Sequence, residues 1–94
     1  MARKKKLFKS DERKTREEVS TFLRELSEKI AGGTVVLKQG QQEVTLDLPE
    51  NLILEVDVKE KQKRPKNPNR KLEIEIEWYE GEDDVRGDGS LELG

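Results

Sequence analysis

Cysteine and histidine are both missing from this 94-residue chain. Without cysteine there is no disulfide framework and no thiolate zinc site. Without histidine the usual general base and the commonest metal ligand are gone. Aromatic residues are scarce as well: two Phe, one Tyr and one Trp. Apolar residues make up 31% of the chain and charged residues 43%, a balance that allows only a small core. An 18-residue apolar run is absent, so a membrane-spanning helix is not expected. The basic start, Met1 to Phe8, leads into no apolar stretch of the kind a signal peptide needs. The cytoplasm is therefore the expected compartment. Ser-His, Cys-His and Ser-x-x-Lys arrangements are lacking too. Neither an enzyme nor a cofactor is expected.

What is present is charge, in blocks. The formal net charge is only −2. Residues 1–14 nevertheless hold seven cations against two carboxylates, and residues 59–71 hold seven against one. The intervening residues 34–58 and the tail 80–94 are acidic. These blocks, rather than the overall balance, decide what the surface attracts.

The clearest element is a helix from about Arg16 to Ala31. Val19, Phe22, Leu23, Leu26 and Ile30 recur at spacings of three and four and share one face. Thr15 is the expected N-cap, with Glu18 completing a capping box. Gly32 and Gly33 supply the stop. Thr34–Lys38 and Glu43–Leu48 read as strands around the loop Gln39–Gln42. Pro49-Glu50-Asn51 makes a turn into a third strand, where Leu52, Leu54, Val56 and Val58 alternate with polar residues. Leu72, Ile74, Ile76 and Trp78 alternate with Glu73, Glu75, Glu77 and Tyr79, a period of two that no helix shares. A further strand is expected over Lys6–Lys14, its cations lying beside the Glu73, Glu75, Glu77 row. The architecture expected is α+β, in the order β-α-β-β-β-β, with one antiparallel sheet and one helix packed on one face. A basic arm (1–6), a single domain (7–79) with a basic hairpin loop (59–71), and an acidic disordered tail (80–94) make up the chain. One helix cannot cover the whole sheet, so part of the apolar face is expected to meet a partner or a second copy.

Several stretches resemble a known family. They are Phe8-Lys9-Ser10-Asp11-Glu12, Arg16-Glu17-Glu18-Val19 with Phe22-Leu23 and Leu26, Val44-Thr45-Leu46 with Leu48-Pro49, and Leu72-Glu73-Ile74-Glu75-Ile76-Glu77-Trp78. Together they resemble the amphi-Trp domain family, small proteins with an amphipathic strand ending in tryptophan. The resemblance spans about residues 7–79. It implies a compact α+β module and transfers no reaction, cofactor or catalytic residue.

Two candidate surfaces follow. Lys61, Lys63, Arg64, Lys66, Arg70 and Lys71 lie in the basic stretch, where mobile cations can neutralise phosphates. No aromatic interleaves with them, so base stacking is not encoded. Ile76, Trp78 and Tyr79 form the second candidate, a partner surface, since tryptophan and tyrosine are favoured interface anchors. The competing expectation for Trp78 is a core position on the helix. Glu73, Glu75 and Glu77, with Glu55, Asp57, Glu43 and Asp47, are expected to make a solvated acidic face. Asp84 to Leu91 carries fragments of a calcium-loop pattern, but Arg86 occupies a ligand position, and calcium binding is not expected. The leading expectation is a non-enzymatic module that binds a protein partner or itself through its sheet. The alternative is a nucleic-acid-binding accessory protein that uses residues 59–71 and the N-terminal arm.

Overall fold

The computed structural model describes residues 4–62 and 64–80. The architecture is α+β and antiparallel: α1 (Arg16–Gly32), β1 (Thr34–Gln39), β2 (Gln42–Asp47), β3 (Ile53–Lys61) and β4 (Asn69–Glu77). The chain divides into two units between Leu48 and Pro49.

The first unit is built from the helix cap outward. Thr15 is extended at φ −74°, ψ 162°, and its hydroxyl accepts from the Glu18 N–H at 3.1 Å. The Glu18 carboxylate accepts the Thr15 N–H at 2.9 Å, which closes the expected capping box. At the other end Gly33 takes φ 90° and sends its N–H to the Ile30 carbonyl at 3.0 Å. This left-handed position disfavours a side chain. The strand β1 begins at the next residue. Gly40 at φ 60° with no positive φ at Gln41 gives a two-residue type II′ turn, which closes β1 on β2. The register sets Val35 opposite Leu46 and Leu37 opposite Val44 on one face. Thr34 and Val36 fall on the other. The helix meets this hairpin along β1. Among the described residues only Val35 is fully buried. Leu26, Ile30, Leu37, Val44, Leu46 and Leu48 around it are half-buried.

The leading segment corrects the expected strand at 6–14: residues 4–15 join no ladder. Leu7 and Phe8 are its only apolar residues, too few to hold a strand on a core. Side chains tie it down instead. The Gln42 amide accepts the Lys9 N–H at 3.1 Å and donates to the Lys9 carbonyl at 3.0 Å, imitating one step of a ladder. The Gln39 amide donates to Glu12. The Lys14 ammonium, 3.0 Å from Glu12, holds that carboxyl below its ordinary range.

The second unit is the hairpin β3–β4, nine residues a strand, paired from Ile53↔Glu77 to Lys61↔Asn69. The expected single sheet is thus two separate two-stranded ladders. The first ladder ends where Leu48 sends its N–H to the Gly33 carbonyl at 2.8 Å. Pro49, with no N–H, follows at once. Both β3 and β4 also run into the stretch expected to be a basic loop. Lys59, Lys61, Arg70 and Lys71 are strand residues, and the connection is Gln62–Pro68. At its tip Asn67 donates to the Arg64 carbonyl at 3.3 Å, a β-turn with Pro65 at its second position.

Candidate functional site

Alternation along β3 and β4 separates two faces of the second hairpin. Leu54, Val56 and Val58 lie opposite Ile76, Ile74 and Leu72 on one face. Ile76 is half-buried, whereas Leu54, Val56, Leu72, Ile74 and Val58 are exposed, Val58 most of all at 75%. Two strands alone bury too little to be stable in water. An apolar row of this length on a hairpin calls for a cover.

The other face is charged and ordered by sign. From the open end toward the tip, β3 places Glu55 and Asp57, then Lys59 and Lys61. On β4 the matching order is Glu77, Glu75 and Glu73, then Lys71. Glu55 faces Glu75 directly. The carboxylates of Glu55, Glu75 and Glu77 lie within 4.8 Å of one another, all exposed. Hydrogen bonding to Glu75, reinforced by the negative charges of Glu75 and Asp57, pushes the Glu55 carboxyl above its ordinary range. Such a trio can share a proton or meet a cation. Glu73, by contrast, has Lys59 at 3.4 Å and Lys71 at 4.0 Å. The expected neighbours of this glutamate row were the cations of residues 4–13. No strand forms over residues 4–15, and the cross-strand partner of β4 among the described residues is β3.

The basic candidates scatter. Lys61 is exposed on the charged face, opposite Asn69. Lys71 is on the same face, near Glu73. Arg70 points to the other face, where its guanidinium Nε sits 2.8 Å from Glu60. Arg64 and Lys66 are exposed at the tip. Lys63 lies outside the described residues, as do 81–94, which include the expected calcium-like fragment and all but the first residue of the expected disordered tail. Pairing with the hairpin's own carboxylates thus engages two of the five described cations.

Beyond β4, Trp78 is half-buried, its indole N–H directed to Glu80 at 3.4 Å. Tyr79 is exposed. With Ile76 and Glu77 they line a shallow hollow. Trp78 therefore continues the amphipathic strand just past the end of its ladder. This is the feature for which the resembling family is named, and the family's sequence profile matches residues 1–94, the whole chain. The chain belongs to the Amphi-Trp domain family. Searches of curated proteins and of solved structures each found no match.

Sequence reasoning missed two features of this Amphi-Trp chain. One is a hollow between the leading segment and the start of α1, lined by Ser10, Thr15, Val19 and Phe22 and rimmed by Glu17 and Glu18. It forms because residues 10–14 lie beside the helix without joining a strand. The other is the Glu55–Glu75–Glu77 trio, which depends on the register of β3 against β4. Alternation assigned those residues to one face but not to one another.

Proposed function

We propose that this chain is a non-enzymatic interaction module. It docks on a protein, or on a second copy of itself, through the β3–β4 hairpin. The observation that carries this reading is the exposed row Leu54, Val56, Val58, Leu72 and Ile74 on one face of a two-stranded hairpin. Hydrophobic burial of such a row is the main driving force available to a small, charge-rich domain. Charge blocks at the two ends of the hairpin set orientation and suppress wrong encounters. Its lack of cysteine suits a reducing cytoplasm, and no helix among the described residues is long and apolar enough to cross a membrane. The test is light scattering across a dilution series, with a pull-down from lysate as a second arm. Ile74→Lys should abolish an association made through the apolar face and spare one made through a strand edge. Equal association by Ile74→Lys would remove the apolar face from the reading.

A second reading rests on Arg64 and Lys66, exposed at the tip with no ion pair among the described residues. There the hairpin touches nucleic-acid phosphates non-specifically. Anisotropy of labelled DNA and RNA at about 50 and 200 mM salt tests it, because counterion release makes such binding steeply salt-dependent.

A further inference from the structure

The edge of β3 that faces away from β4 is a free strand edge among the described residues. Exposed edges are usually blocked by charge, and β3 carries four charges on its polar face. Their order is unusual. Glu55 and Asp57 are followed by Lys59 and Lys61, a sequence of two negatives and two positives that is antisymmetric about Val58. We propose that β3 pairs antiparallel with β3 of a second copy, with Val58 on the two-fold axis. This deepens the self-association reading above and rests on it.

That register sets Val58 against the partner's Val58, Asp57 against the partner's Lys59, and Glu55 against the partner's Lys61. By symmetry each ion pair occurs twice. No like charges meet on this face. Sliding the register by one step in either direction puts Asp57 on Asp57, or Lys59 on Lys59, at the axis. In-register parallel pairing sets every charge against its own kind. The β4 edge offers a weaker solution: centred on Leu72 it pairs Lys71 with the partner's Glu73 twice but leaves Glu75 only Asn69. Centred on Glu73 it opposes two glutamates at the axis, and centred on Ile74 it opposes Glu73 to Glu75 twice. The β3 edge is thus self-complementary in one arrangement.

Two further observations converge on it. Among the described residues Val58 is the most exposed large apolar residue, and it falls on the proposed axis. The crowded Glu55, Glu75 and Glu77 carboxylates have no ion pair among the described residues. The partner's Lys61 would be delivered beside Glu55. The product is a four-stranded sheet, β4–β3–β3–β4, with one continuous apolar face. Three or more strands with a hydrophobic face are what an antiparallel sheet needs for independent stability.

A cysteine-free chain makes the test clean. Cα atoms directly opposite in an antiparallel ladder lie about 4.5–5.5 Å apart, within disulfide range. Val58→Cys should therefore cross-link to itself on mild oxidation. Val56→Cys and Glu60→Cys should not, except when mixed with each other. Glu55→Lys should weaken the dimer roughly tenfold by sedimentation, since it turns two attractive pairs into repulsive ones. Within its own hairpin this change sets a lysine against Glu75 and relieves repulsion, so misfolding would not explain the loss. Glu55→Lys combined with Lys61→Glu should restore the dimer. A chain that is monomeric at every concentration overturns both this inference and the self-association reading, and leaves a foreign protein as the partner. A stable dimer in which Val58→Cys fails to cross-link and Glu55→Lys has no effect overturns the β3 pairing alone.

Discussion

Val35 and Val36 are chemically identical neighbours on β1, and the pleat sends them to opposite faces. Val35 is 4% exposed and Val36 is 47% exposed. Truncating each to alanine removes the same atoms from two different environments. At Val35 the loss is nearly the full transfer free energy of about two carbon groups, roughly 1.6 kcal/mol, plus a cavity contribution that brings it to about 2 kcal/mol. At Val36 about half the side chain is already in water, and no enclosed space is left behind. The expected loss there is about 0.5 kcal/mol, part of it strand propensity. In a domain of this size about 2 kcal/mol lowers Tm by roughly 8–16 °C, against a few degrees for Val36→Ala. Thermal melts followed by circular dichroism, paired with urea titrations, separate the two. A third variant sharpens the test. Val35→Thr keeps the shape but buries a hydroxyl, and should cost about as much as the alanine. If Val36→Ala proved as damaging as Val35→Ala, the assignment of the buried face of β1, and with it the β1–β2 register, would be refuted.

Two further predictions concern the ends of α1. Thr15→Ala should cost about 1 kcal/mol, and Thr15→Gly only a few tenths, as read from Tm; an unchanged Tm in Thr15→Ala would mean that the bond from the Glu18 N–H to the Thr15 hydroxyl contributes nothing. Glu18 has its carboxyl held below the ordinary range, first by the Thr15 N–H and then by the Thr15 hydroxyl. A lowered folded-state value adds stability that is present above about pH 4.5 and lost as the pH falls through the folded value. Glu18→Gln should therefore flatten the acid limb of a stability-against-pH curve while leaving the cap geometry in place. At the other end, Gly33→Ala should cost roughly 1–2 kcal/mol because φ is 90° there, whereas Gly32→Ala, with open space around it and no positive φ, should be neutral or slightly stabilising in the same melts.

The residues determined the local structure of this protein almost by themselves. The helix runs Arg16–Gly32 because its apolar spacing, its Thr15–Glu18 box and the Gly33 stop agree with one another. Both hairpins were legible for the same reason, since a strand period of two and a turn residue such as Gly40 act over short distances. Chain neighbours close with little entropy loss, and nothing distant has to cooperate. Membership of the Amphi-Trp domain family was legible as well, because the strand ending at Trp78 is a local pattern. Three things were decided only by tertiary structure. Residues 4–15 stayed out of the ladders, because the Gln42 amide, far along the chain, satisfies the Lys9 backbone. The basic stretch was divided between strands and tip by how far the β3–β4 ladder extends. Register alone brought Glu55, Glu75 and Glu77 together. Alternation says which face a side chain occupies; only pairing says what stands across from it.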